Sequence, residues 1–236
     1  MSDGIQPQAQ HRDCDGGDFL LTAAAAPVLD ARLVLAHGAG AGMESDFMNA
    51  IAEAVTRRGV AVIRFEFPYM AQRRRGGKRR PPDRADTLLR DWRRVVQALR
   101  PGPPLFVGGK SLGGRMASMV ADELAVAGLV CLGYPFHPPR QPQRLRTEHL
   151  AGLHTPALIV QGSRDPFGNC DEVRDYSDRG LLADHIRLQW LEDGDHDFRP
   201  RVRSGLSQAD HIETAAQAIA AFVAATLATA APGGMS

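Results

Sequence analysis

The sequence predicts an α/β protein with a mostly parallel central sheet and helices on both faces. Three observations predict it. Short runs of Val, Leu, Ile and Phe recur along the chain and are nearly continuous in apolar residues, as strands buried on both faces are. Stretches with apolar residues at helical spacing separate them. Loops rich in glycine, proline and polar residues follow the runs, and ligands in such folds bind beyond the carboxyl ends of the strands.

The elements follow in order. Arg32–Ala36 (RLVLA) is a first strand running into the loop H-G-A-G-A-G. Residues 45–58 place Phe47, Met48, Ile51 and Val55 on one helical face, with Gly59 as the stop. Residues 60–67 (VAVIRFEF) are β-branched and aromatic and end at Pro68, a second strand. Asp83 is the expected cap of a helix carrying Leu88, Leu89, Trp92, Val95, Val96 and Leu99. Residues 105–108 (LFVG) form a third strand and residues 112–126 a helix striped by Met116, Met119, Val120 and Leu124. Residues 129–132, 157–161 and 185–191 supply three more strands. The alanine-rich stretch 215–231, with Ile219, Phe222, Val223 and Leu227 at helical spacing, reads as a terminal helix packed on the sheet rather than a bilayer span.

With 236 residues, 44% of them apolar, the chain can bury one large core. The expected organisation is a disordered tail over residues 1–17 and a single domain over 18–231. The polar stretch Gly133–His154, rich in Pro, Arg and Gln, is a minimal cap at most. The formal net charge of +1 excludes a global field that would draw the chain to nucleic acid or acidic membranes. Residues 73–80 hold six positive charges without aromatic interleaving, so a solvated loop is expected rather than a nucleic-acid patch. Cys14, Cys131 and Cys170 are odd in number and form no C-x-x-C, which fits a reducing compartment. The polar N-terminus lacks the apolar core of a signal peptide, so a cytoplasmic location is expected.

The sharpest chemical signal is Gly109-Lys110-Ser111-Leu112-Gly113, which matches G-x-S-x-G between a predicted strand and a predicted helix. A serine on such a turn is held on a strained bend with its hydroxyl exposed. A phosphate loop would need glycine four residues ahead of the G-K pair, where Pro104 stands. A serine hydroxyl needs a base. Six histidines follow Ser111: His137, His149, His154, His185, His196 and His211. Only His196 lies in a polar loop after the last strand. His185 belongs to the far end of that strand, His211 to a solvated first helical turn, and the other three to the cap region. For the acid, Asp165 follows the strand A-L-I-V-Q directly, while Asp193, Asp195 and Asp197 flank His196 and compete; adjacent residues rarely reach the imidazole with correct geometry, so Asp165 is the expected acid. Backbone N–H groups of Leu112 and of the loop at Gly38 and Ala39 are the expected oxyanion donors. Tyr69, Met70 and Phe136 follow strands and are candidate pocket walls. D-G-D-H-D matches neither calcium-loop nor zinc spacing, so neither metal nor cofactor is expected.

The motifs L-A-H-G-A-G-A-G-M, F-E-F-P-Y, G-G-K-S-L-G-G-R and Q-G-S-R-D-P-F-G together resemble the compact α/β-hydrolase family related to dienelactone hydrolase. That family includes a hydrolase-like domain in a subunit of a histone-acetyltransferase complex. The resemblance covers about residues 30 to 225 and implies the α/β-hydrolase fold and a Ser111–Asp165–His196 triad. Dienelactone hydrolases use a cysteine nucleophile where this chain has Ser111, so their activity is not carried over. The expected function is hydrolysis of a small ester or related acyl bond, with a small-molecule acyl substrate and no nucleic-acid or membrane partner. A non-catalytic interaction module on the same fold is the alternative.

Overall fold

The computed structural model describes residues 9–14, 17–23 and 29–230. Eight strands form one sheet in the order β1-β2-β4-β3-β5-β6-β7-β8. These are β1 (Ala9–Cys14), β2 (Gly17–Thr22), β3 (Arg32–Ala36), β4 (Ala61–Phe65), β5 (Leu105–Lys110), β6 (Gly128–Leu132), β7 (Ala157–Gly162) and β8 (Arg187–Leu191). β3 to β8 are mutually parallel, whereas β1 pairs with β2 and β2 with β4 in antiparallel fashion.

Parallel direction decides where function can sit. The carboxyl ends of β3, β5, β6, β7 and β8 lie along one edge, so the loops beginning at His37, Ser111, Gly133, Ser163 and Glu192 emerge together. In register, Ala36 pairs with Gly109 and Lys110 with Leu132.

The period of two along each strand divides the core into two layers. Leu33 and Leu35 of β3 face one side. There they join Val62, Phe106, Val130 and Val160, under α1 (Asp46–Thr56) and α6 (Gln208–Ala230). Val34 and Ala36 face the other, with Phe65, Val107, Cys131 and Ile159. That side is covered by α3 (Ala85–Ala98), α4 (Leu112–Ser118) and α5 (Cys170–Asp178), through Trp92, Val95, Met116 and Val173. α6 is apolar and long enough to cross a membrane by composition alone. It instead packs Ile212, Ile219, Phe222 and Val223 onto the sheet and α1.

The structure differs from the sequence expectation in several places. The expected tail overlaps the edge hairpin: residues 9–14 and Gly17 are strand, and Phe19 and Leu20 of β2 are buried beside β4. Residues 1–8, 15 and 16 lie outside the described residues. Glu66 and Phe67 do not extend β4; Pro68 opens a short helix, α2 (Pro68–Arg74), at the position where its missing N–H costs nothing. Arg73 and Arg74, expected in a solvated loop, therefore sit on that helix, with Arg73 Nη1 donating to the Gly40 carbonyl at 3.1 Å and Arg74 paired with Glu66 at 2.7 Å. Asp83 does not cap α3, whose N-cap is Arg84; its carboxylate accepts from the Tyr69 N–H at 3.2 Å and pairs with Arg80. The helix expected to reach Val126 stops at Ser118. Asp122, inside the expected helix, accepts from the backbone N–H groups of His154 and Thr155 at 3.0 and 2.7 Å.

Trp92 of α3 is fully buried and meets Phe65 edge to face, with ring centroids 4.7 Å apart. Removing this side chain leaves a cavity that the rigid sheet cannot close. Trp92→Ala is expected to cost about 3–5 kcal/mol and to lower the melting temperature by on the order of 10 °C, read by thermal denaturation followed by circular dichroism.

Candidate active site

Ser111 stands between β5 and α4 with φ 50° and ψ −111°, a conformation that L-residues avoid. The neighbours show why the bend is so tight. A Cβ on Gly109 would sit 2.2 Å from the Ala36 carbonyl oxygen, and one on Gly113 would sit 2.4 Å from the same oxygen. The helix therefore starts pressed against β3, and only glycine fits at either position. The Ser111 N–H donates to the Leu132 carbonyl at 3.0 Å, and its own carbonyl accepts from Arg115 at 3.0 Å, so the bend is held from both sides.

His196 enters from the loop after β8. Its Nδ1 lies 2.7 Å from Asp165 Oδ2. Asp165 is fully buried, and its other oxygen accepts the Phe167 N–H at 2.8 Å. Gln161, buried at the end of β7, donates from Nε2 to the same Asp165 Oδ2 at 3.0 Å and to the Gly168 carbonyl, and its Oε1 accepts the Tyr134 N–H at 2.7 Å. With these partners Asp165 accepts from the imidazole as an oriented carboxylate. The three competing carboxylates are engaged elsewhere. Asp193 pairs with Arg164 and Arg201, and hydrogen bonds from Arg201 hold its carboxyl well below the usual range. Asp195 accepts from the N–H groups of Asp197 and Arg199. Asp197 pairs with Lys110 at 3.4 Å.

The glycine loop after β3 is braced from beneath. His37 is buried, and burial lowers its pKa, so the ring is neutral. Its Nδ1 donates to the Gly38 carbonyl at 2.6 Å while its Nε2 accepts the Phe67 N–H at 3.1 Å. The Tyr69 hydroxyl donates to the Gly38 and Ala39 carbonyls at 3.3 and 3.2 Å. In a trans peptide the next N–H points opposite to the carbonyl. Holding these two oxygens back turns the N–H groups of Ala39 and Gly40 away from the Tyr69 ring.

Ser111, His196, Gly38 and Ala39 line one pocket of about 330 Å³, completed by Gly40, Ala41, Ser45, Phe47, Met48, Lys110, Phe167 and Asp197. Leu112 follows Ser111 as the first residue of α4. The Phe167 ring lies 4.3 Å from the His196 ring, centroid to centroid. A second groove continues outward through Ala41, Ser45, Phe47 and Asp197, which it shares with the first.

The expected pocket walls are a correction. Tyr69, Met70 and Phe136 are buried and do not line the Ser111 pocket. Tyr69 braces the glycine loop, and Phe136 packs between Tyr134 and Tyr176 with centroids 4.9 and 6.0 Å away. The strands that they follow end at the right edge, but the side chains turn down into the core. No residue of Gly133–His154 lines the pocket either. Within that stretch His137 is buried against Glu172 rather than solvated, and His149 bonds the Ser118 hydroxyl at 2.8 Å. His211 is likewise buried, with Nδ1 donating to the Phe198 carbonyl at 2.8 Å. Gln161 and Lys110 are the residues that sequence reasoning passed over. A polar residue ending an apolar strand, as in A-L-I-V-Q, was the available signal for the first.

A model of an alpha/beta hydrolase domain matches residues 29–224. The chain belongs to that family. Solved α/β-hydrolase-type structures are similar over nearly its whole length. A serine hydrolase without a lid from Xanthomonas campestris is 18% identical with a TM-score of 0.65, covering 98% of both chains. Est1E from Butyrivibrio proteoclasticus is 16% identical with a TM-score of 0.67, covering 93% of this chain and 99% of its own. Dienelactone hydrolase from Anabaena variabilis is 18% identical with a TM-score of 0.67, covering 93% and 98%. At these identities the likeness is one of fold.

The α/β hydrolase packs α4 on β3 without slack. Gly113→Ala is therefore expected to destabilise the bend directly, because the new methyl would also meet the His37 carbonyl oxygen at 2.7 Å. A melting temperature lower by several degrees than that of a surface control such as Ala209→Ser, in the same thermal scan, is the result that this packing requires.

Proposed function

We propose that the protein is a serine hydrolase that cleaves a small ester or related acyl bond through Ser111, His196 and Asp165. The observation that carries this reading is the convergence of a strained Ser111 bend and a His196–Asp165 pair on one small pocket. His196 takes the Ser111 proton as the hydroxyl oxygen attacks the acyl carbon. The oxygen of the tetrahedral intermediate is met by the N–H groups of Leu112 and of the loop at Gly38 and Ala39. Collapse returns the proton from His196 to the leaving alcohol and leaves an acyl-Ser111. Water, deprotonated by the same imidazole, then releases the acid. Asp165 keeps the ring in the required tautomer and stabilises its charged form.

Phe47, Met48, Phe167, Ala39 and Ala41 give the pocket an apolar wall, which suits a short acyl or aromatic acyl group. The neighbours support the reading by kind: their descriptions include serine hydrolases and an esterase domain. The carboxylesterase assignment rests on the pocket and on the triad together.

An active-site-directed fluorophosphonate is expected to label the protein once, at Ser111, with labelling abolished in Ser111→Ala. Turnover of a short acyl ester is expected to fall by about 10⁴-fold in His196→Ala and in Asp165→Asn. Labelling that persists in Ser111→Ala would refute the assignment. Absence of both labelling and turnover in the folded wild type would favour a non-catalytic role for this fold.

A further inference from the structure

Lys110 occupies the position between Gly109 and Ser111, where acyl transfer itself requires no charge. Its ammonium is nevertheless buried, the residue being 7% exposed. The stem runs beside Gly38, where a Cβ would meet the Lys110 Cγ at 3.4 Å. The tip crosses the pocket floor. Nζ donates to the His196 carbonyl at 2.6 Å, lies 3.4 Å from Asp197 Oδ1 and sits 5.4 Å from the centroid of Phe47. Gly133 makes room for it. A Cβ there would stand 3.2 Å from Nζ and 3.1 Å from the His196 carbonyl oxygen.

We propose that Lys110 is a positioning residue for the reaction above: its ammonium, paired with Asp197, ties the His196 loop to the Ser111 bend. The proposal rests on the triad reading. Both partners of Nζ, the His196 carbonyl and the Asp197 carboxylate, belong to the loop that must deliver the ring to Ser111. Asp165 holds that ring through Nδ1, but it constrains only one side. Lys110 restrains the backbone of the same residue from the nucleophile's own strand, so one cation couples base and nucleophile. A buried ammonium is costly unless it is hydrogen-bonded and paired, and burial pushes its pKa down against the opposing pull of Asp197 and Asp165. The hydrogen bond to the His196 carbonyl and the Asp197 carboxylate offset that cost.

The charged groups around His196 are Asp165 on Nδ1, Lys110 across the pocket, and Asp195 and Asp197 on its own loop; Phe167 covers one face.

The test is the rate of fluorophosphonate labelling and the kcat and KM of ester turnover in Lys110→Met, Lys110→Arg and Asp197→Asn, beside the wild type. Lys110→Met is expected to slow labelling and to lower kcat about tenfold or more with KM little changed. Lys110→Arg, which keeps a donor and a charge, is expected to recover part of that loss. Asp197→Asn, at a half-exposed side chain, is expected to lower kcat by a smaller factor. An undiminished kcat in Lys110→Met overturns the proposal, as does a loss carried by KM alone. If Lys110→Met fails to fold, Asp197→Asn decides: a lowered kcat at unchanged KM supports the proposal, and an unchanged kcat overturns it. A wild type that is not labelled at Ser111 refutes the triad reading instead, and the role of Lys110 falls with it.

Discussion

The contact between the start of α4 and the end of β3 governs the site. One carbonyl, that of Ala36, lies where a Cβ on either Gly109 or Gly113 would have to be. That closeness forces the chain to reverse within a single residue, and the residue forced into the disfavoured conformation is Ser111. The strain is stable because β5 is hydrogen-bonded between β3 and β6, so neither side can relax. The hydroxyl is thereby presented at the edge where every other loop of the site emerges.

Around this fixed point the protein spends its buried polar groups on orientation. Gln161 holds Asp165, Asp165 holds His196, and the neutral His37 ring with Tyr69 holds the carbonyls of the glycine loop. Each of these groups is satisfied by specific partners, which is what allows polar side chains to remain inside a core. The acids flanking His196 serve the same purpose differently. Asp193 and its arginine partners shape the loop, and residues 193 and 198 adopt left-handed backbone conformations that carry His196 inward. The site is thus rigid around His196 and Asp165, while its outer wall, formed by Phe47, Met48 and Phe167, is apolar and simple.

Much of this was legible in the chain. Six of the eight strands, the parallel arrangement and the serine bend follow from apolar runs, their periodicity and one glycine-serine motif. The edge hairpin was missed because polar residues 9–17 read as a tail, although Asp15-Gly16 between two short runs is a turn signal. The short α2 was missed because Pro68 reads equally as a strand stop and as a helix start. The misassigned pocket walls have a related cause. Sequence order places Tyr69, Met70 and Phe136 after strands, but whether a side chain turns toward solvent or toward the core depends on backbone direction beyond the strand end.

Local pattern by itself determined the layers and the position of the strained serine bend, because these depend on periodicity and on which residues can occupy a tight turn. Tertiary structure alone decided that His211 and His137 are core residues and that Lys110 reaches the His196 loop. Those outcomes are set by distances between segments tens of residues apart, and such distances are fixed by sheet register and packing rather than by any neighbouring residue.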